Sequence, residues 1–420
     1  MSQTAAAPQA ASPPPTPAAA LAPAPAPAPS YVDTPALLNR WQLIGMSVAI
    51  VFGILSALVQ FSSWNADGRA ADDTDQLVRI QNIQSSLFRA DALATNAFLV
   101  GGLENTEQRG EYNREIKSVL SNIAAAANAQ PADSHVLADL NKLVDDYTTS
   151  IAQARAINRQ GFPVGAAYQT LASNKLRTEG VPMLTALVKA NTDRADSAMG
   201  GQHPFWLLFI GIAALVGLFW LNRELGRAFR RRINKGLAFA AIVVLVVTLV
   251  SVAGAWIRAS ANDSLRSGKF HDAVASATAR TAANDAKANE SLRLIKRGSG
   301  AQNEADWGKD AALVEKNAPS RYLSDWHVYT AQHAQIVKLD DGNNWDGAVA
   351  LATKVDKNDA FAKFDAHLAA EVDQARTSAI DDLESGRWLA VTLSALTLLL
   401  GVAAAIGVAR GIGERRREFS

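Results

Sequence analysis

"WQLIGMSVAIVFGILSALVQFSSW", residues 41–64, holds no Asp, Glu, Lys or Arg. A run of this length, wound as a helix at ~1.5 Å per residue, crosses a hydrocarbon core ~30 Å thick. Three further windows, 204–222, 236–257 and 388–409, are equally free of those four residue types. Six of the nine tryptophans (Trp41, Trp64, Trp206, Trp220, Trp256 and Trp388) lie at or near the window ends. An amphipathic ring prefers that headgroup boundary. The sequence therefore reads as a polytopic membrane protein. The first window follows a long tail and is too long for an ordinary signal core, so it reads as a retained span.

Charge in the short connections sets the expected topology. Arg223, Arg227, Arg230, Arg231, Arg232 and Lys235 separate the second and third windows, and Arg410, Arg415, Arg416 and Arg417 follow the fourth. The positive-inside rule places both clusters, and with them both termini, in the cytoplasm of a multi-pass plasma-membrane protein. The long connectors 65–203 and 258–387 then face outward. Ten of the 15 prolines precede residue 36, and "APAPAPAPS" (22–30) has the composition of an unfolded tether. The expected plan is a disordered tail over 1–39, a span at 40–64, an outward domain at 65–203 and a second span at 204–222. A basic loop at 223–235, a span at 236–257, a repeat domain at 258–387, a span at 388–409 and a basic tail at 410–420 follow.

The two outward segments share a pattern. "DALATNAFLVGG" (91–102) is echoed by "DAKANESLRLIKRG" (285–298), and Gln42 and Gly236, the starts of two spans, keep the same offset of 194 as Asp91 and Asp285. Gly165 and Gly347 answer one another at 182, as do Trp206 and Trp388. This collinearity predicts a tandem duplication whose second copy is shortened in its middle. Within the first copy, Ile80, Ile83, Leu87, Ala90, Ala94 and Ala97 step by three and four, the seam of a helix in a bundle. Val136, Leu140, Leu143, Tyr147, Ile151 and Ala154 form a second seam, and Ile116, Val119, Ile123 and Ala126 a third. No alternation suggests strands. The fold class is thus an all-α membrane protein with four transmembrane helices and two tandem extracytoplasmic antiparallel four-helix bundles.

Carried over at the same offset, the first seam becomes Val274, Ala277, Thr281, Asn284, Ala288 and Ser291, small and polar where its counterpart is apolar. The bland reading is an imperfect core; the functional one is a sensing groove near Asp91, Asn284 and Asp285. In the spans, Gly45, Ala49, Gly53 and Ala57 form one ladder of small residues, and Gly401, Ala405 and Ala409 another, the kind of stripe along which membrane helices pack. Arg227, Arg230, Arg231, Arg232 and Lys235 are candidate contacts to a cytoplasmic partner or to anionic lipid, although topology alone demands positive charge there.

Enzymatic signatures are missing: there is no phosphate loop, no H-E-x-x-H and no nucleophile elbow. The chain has no cysteine, which removes thiol chemistry and cysteine metal sites. His327 and His333, six residues apart, read as solvated surface histidines rather than metal ligands. Adjacent pairs such as Asp340-Asp341 diverge on a helix and make a poor acid–base couple. The spans carry no ionisable side chain, which argues against ion-coupled transport. The expectation is a non-enzyme without metal or cofactor that binds no nucleic acid.

Two outward bundles joined to packed spans make a sensing arrangement. Each bundle resembles the four-helix-bundle sensor domains of bacterial chemoreceptors and sensor kinases. The layout of residues ~36–420 is similar to the GlnX family of actinobacterial membrane proteins. That resemblance implies an extracytoplasmic amino-acid-binding lipoprotein, GlnH, as the partner outside. It implies a soluble Ser/Thr kinase, protein kinase G, as the effector inside. With 11 residues after Ala409, output is expected through a separate protein. A homodimer is compatible with the reading, and the alternative is a membrane scaffold for envelope or division proteins.

Overall fold

The computed structural model describes residues 34–100, 105–160, 164–229, 234–354 and 359–416. Among them there is no strand. The N-terminal tail before residue 34, Gly101 and Gly102, Arg230, Arg231, Arg232 and Arg417 lie outside the described residues.

Helix α1, Thr34–Val100, runs unbroken for 67 residues, about 100 Å at the usual rise. It begins seven residues before the first apolar window, runs through it and continues through the whole of the first predicted seam. No proline falls within it after Pro35, and its length exceeds what packing inside one membrane or one domain requires. Asn105 caps α2, Thr106–Ala129, by accepting from the Glu107 amide at 2.8 Å. Pro131 then ends that direction with a single 3-10 turn, and α3, Ser134–Arg159, returns. The fourth track comprises α4, Val164–Lys175, a π-turn at Leu176–Gly180, and α5, Val181–Met199. A break of four residues separates it from α6, Pro204–Phe229.

Asn234 caps α7, Lys235–Leu265, and a second π-turn at Arg266–Phe270 joins it to α8, His271–Ile295. Arg297, at φ +39°, and Gly298, at φ +83°, take the left-handed conformation just past the Lys296 C-cap of this helix. The second group is completed by α9, Ala301–Asn317, α10, Leu323–Asp341, the short α11, Trp345–Ala352, and α12, Ala360–Arg416. Four helical stretches, beginning at Ala36, Val164, Lys235 and Ala360, are long and apolar enough to cross a membrane. The chain is an all-α, multi-pass membrane protein.

The predicted seams settle into a core. Ile80, Ile83, Leu87, Ala90 and Ala94 of α1 meet Ile116, Val119 and Ile123 of α2, Leu140, Leu143, Tyr147 and Ile151 of α3, and Leu184 and Leu187 of α5. Val136 is only partly buried; Leu137, one residue on, takes the inner position. A second core joins Ala279, Ala282, Ala283 and Ala286 of α8 to Val314, Trp326, Tyr329, Phe361, Phe364 and Leu368 of α9, α10 and α12. The face of α8 transposed from the first copy therefore does not line its own core. Ala277 packs with Val78 of α1 and Val372 of α12, and the Asn284 and Ser291 side chains reach Ser85 and Asn96 of α1. α8 is covered on both sides, and its small residues let α1 approach where an apolar ridge would hold it off.

A third cluster, Ala70, Ala71 and Leu77 with Ala195, Met199, Leu265, Phe270, Ala379 and Leu383, knits both helical groups together just beyond the spans. Within the apolar windows, one core takes residues from all four helices, including Ala49 and Phe52, Leu218 and Leu221, Ala240 and Val244, and Ala405 and Val408.

Candidate functional site

The two echoing aspartates meet on a single arginine. Asp91, on α1, is fully buried, and its Oδ1 accepts from the Ser173 hydroxyl at 2.5 Å and the Tyr147 hydroxyl at 3.2 Å. Its Oδ2 receives Nη1 of Arg177 at 2.7 Å. The other terminal nitrogen, Nη2, reaches Asp285 Oδ1 of α8 at 2.6 Å. Arg177 lies in the π-turn between α4 and α5, so one planar fork joins three tracks of chain. A guanidinium suits this position because its donors diverge in a fixed plane, whereas an ammonium is a point charge.

The electrostatics follow from burial. Desolvation works against the Arg177 cation, yet Asp285 and Asp91 outweigh it and hold its pKa above the ordinary value. Burial raises the Asp285 carboxyl, Arg177 draws it back, and Asp91 raises it further. The Tyr147 phenol is pushed well up, first by burial and then by the Asp91 charge. Beyond Asp285 the polar chain continues: Asn289 donates to Asp285 Oδ1 at 3.4 Å and to Asp310 Oδ2 of α9 at 3.2 Å. Burial and the neighbouring Asp285 lift the Asp310 carboxyl to about 8.

That shift carries a sign. An unfolded aspartate loses its proton near pH ~3.9, while folded Asp310 keeps it to about 8. Across that window the native state binds more protons than the unfolded one. The contribution is present at low pH and is lost as pH rises through the folded value. Thermal unfolding at about pH 5 and about pH 8 is expected to show a smaller difference for Asp310→Asn than for the parent. An unchanged difference would assign the titration elsewhere.

A second knot adjoins the first, on neighbouring residues of α1 and α8. Asp365 of α12 accepts from Arg89 of α1 at 2.6 Å, from Arg280 of α8 at 2.9 Å and from Asn284 at 2.7 Å. Burial opposes its charge, but Arg280 and Arg89 prevail and its pKa is lowered. Asn284, itself fully buried, also donates to Ser85 of α1 at 3.2 Å. Asp91, Asn284 and Asp285 thus share one seam between the helical groups, filled by arginines from both.

The seam reaches towards the spans. Arg376 of α12 joins Asp75 of α1, its Nε at 2.6 Å. Asp67, fully buried at the level where α1 leaves the apolar window, accepts from Asn262 at 3.0 Å, Gln202 at 3.0 Å and Arg258 at 3.1 Å. Inside the windows, Gln60 donates to Ser251 at 3.0 Å and Thr397 at 3.1 Å, tying α1 to α7 and α12. The two small-residue ladders lie where α1 and α12 cross: Gly45, Ala49, Gly53, Gly401 and Ala405 are buried, and Ala57 and Ala409 partly so. A Cβ built on Gly401 would stand 2.9 Å from the Gly53 Cα.

At the other end, Arg227 pairs with Glu224 at 2.8 Å and the Lys235 side chain is exposed; Arg230, Arg231 and Arg232 lie outside the described residues. His333 is a correction. It is not at the surface but 2% exposed, 2.8 Å from Glu290 and stacked on Trp307 at 3.7 Å, while His327 is exposed. Burial disfavours the His333 cation, but bonds to Glu290 and Glu304 win and raise its pKa. Asp340 and Asp341 are likewise brought together, both held by Arg293. No cluster among the described residues has the makings of a metal site.

Sequence reasoning missed Arg177, Asp365 and Gln60. A signal existed for the first: Asp91 adjoins the buried seam position Ala90, and a carboxylate placed there demands a cation from another helix.

Residues 66–200, about a third of the chain, match the family model of an actinobacterial sensor domain. Asp91, Tyr147, Ser173 and Arg177 all fall inside that segment. Comparison with curated proteins and with solved structures returns no match.

Proposed function

We propose that this chain is a transmembrane relay that carries an extracytoplasmic amino-acid signal, delivered by a solute-binding lipoprotein, to a separate cytosolic effector such as a Ser/Thr kinase. The sensor-domain match over 66–200 supports the sensory part. The observation that carries the relay is the Arg177 fork. It clamps α1 to α8, and both helices run on, one unbroken and the other through a π-turn, into apolar windows. A partner that loosens or shifts this clamp displaces two membrane-crossing rods against one another. Shifts of ~1–2 Å are the usual scale of such signalling. The outward placement of the seam rests on the basic cytoplasmic connections.

The absence of native cysteine makes the test direct. Asn96→Cys and Ser291→Cys place a thiol on each side of the α1–α8 contact, where the native side chains meet at 3.3 Å. Disulfide formation in native membranes is expected to change several-fold when aspartate or glutamate is added with the lipoprotein present. A rate indifferent to both additions would favour the scaffold reading, in which one packing suffices.

A further inference from the structure

An open cleft of about 650 Å³ lies at the foot of the first helical group, between α1, the end of α2 and α5. Its volume is in the range of small-molecule sites, ~300–1,000 Å³. The floor is rigid. Asp133, 4% exposed, receives both the Arg194 guanidinium, at 2.7 and 2.9 Å, and the Asn191 amide, at 2.9 Å.

Within the cleft the charges are incompletely matched. Asp73 is 7% exposed; one carboxylate oxygen accepts from Gln130 at 3.2 Å, and the other has no hydrogen bond among the described residues. Arg194 Nε stands 3.9 Å from Asp73, beyond bonding reach, and is itself buried without a partner. On the exposed wall, Arg69 and Asp72 are exposed and make no ion pair or hydrogen bond among the described residues. Arg69 is three residues from Asp72 and four from Asp73 on α1, about 5–6 Å from each, and all three line the cleft. Burial and the Asp72 charge both raise the Asp73 carboxyl against the pull of Arg194, which is the state an added cation relieves.

We infer that this cleft binds a small zwitterion whose primary ammonium lies against Asp73 and Asp72 and whose anionic group pairs with Arg69. Two sources carry that chemistry: a free α-amino acid and the headgroup of phosphatidylethanolamine. Both reach it, because Arg69 stands five residues beyond Trp64, about 7.5 Å up the helix, at the level of the headgroups. The occupant would bridge α1 and α5, which lead towards two different spans. This site is independent of the proposed relay, since a scaffold could carry it as well.

The test uses the full chain in nanodiscs. In one arm, native mass spectrometry measures lipid retained from discs of phosphatidylethanolamine, phosphatidylcholine or phosphatidylglycerol. The quaternary ammonium of the second donates no hydrogen bond, and the third has no cation. In the other arm, phosphatidylglycerol discs are titrated with glutamate and with glycine by calorimetry. Preferential retention of phosphatidylethanolamine, or saturable amino-acid binding, is expected in the parent and tenfold or more weaker in Asp72→Asn/Asp73→Asn. Arg69→Gln weakens it and Arg69→Lys restores much of it. Arg69 is an exposed position, so the Gln and Lys variants fold and keep the comparison valid if the Asp73 change perturbs the domain. Neither ligand preferred by the parent, or equal binding by the parent and Arg69→Gln, overturns the assignment.

Discussion

Arg177→Leu is expected to destabilise the protein by about 3–5 kcal/mol, the usual cost of removing one partner from a buried ion pair. The penalty arises because two carboxylates, Asp91 and Asp285, lose the donor that neutralises both. Asp91 has no access to water and keeps only two hydroxyl donors, Ser173 and Tyr147. Thermal unfolding in detergent measures the loss. Arg177→Lys should recover only part of it, since one ammonium cannot serve two carboxylates in the plane of a fork. Adding Asp91→Asn and Asp285→Asn to Arg177→Leu should recover more, because the uncompensated charge is then gone. Acidification should do part of the same by protonating Asp285, whose carboxyl burial raises, so the gap between parent and Arg177→Leu narrows towards low pH. A variant as stable as the parent at every pH would mean the fork is not what joins α1 to α8.

That prediction rests on a contact only half legible in the sequence. Asp91 and Asp285 stand out because the motifs around them echo one another, but an echo predicts that two positions are equivalent, not that they touch. The spans and the first seam were readable because each follows from a local rule: length without charge for one, a step of three and four for the other. α1 obeys both rules in succession, and its 67 residues are their sum. α8 defeats the seam rule because it has no solvent face to contrast with a core. Ala279, Ala282 and Ala283 turn to α9, α10 and α12, while Ala277, Asn284 and Ser291 turn to α1. Periodicity reports one buried stripe and is silent where there are two. The burial of His333 escapes its sequence for a related reason. Its burial depends on Glu290, Glu304 and Trp307 converging from two other helices, which no spacing within α10 encodes.

Within the membrane the decisive substitutions are Gly53→Leu and Gly401→Leu, because here backbone meets backbone. A Cβ on Gly53 would fall 3.2 Å from the Gly401 Cα, and one on Gly401 would fall 2.9 Å from the Gly53 Cα. No side chain can rotate aside to make room, so α1 and α12 must separate. Overpacking of this kind costs about 1–3 kcal/mol. The effect should be graded: Gly401→Ala disturbs more than Gly53→Ala, and either leucine more than either alanine. Ile54, next along but exposed on the far face, offers a control in Ile54→Leu, which should be silent. Separation at this crossing strains the hydrogen bond from Gln60 to Thr397, about two turns further along α1. Gln60 also holds Ser251 of α7, so a displacement of α12 is felt by a third span. The expected consequence reaches the seam. In the Asn96→Cys/Ser291→Cys background, Gly53→Leu should alter the rate of disulfide formation although the α1 thiol lies more than forty residues along that helix from the substitution. A rate equal to that of Ile54→Leu would show that the span crossing and the charged seam move independently, and α1 would then be a tether rather than a rod.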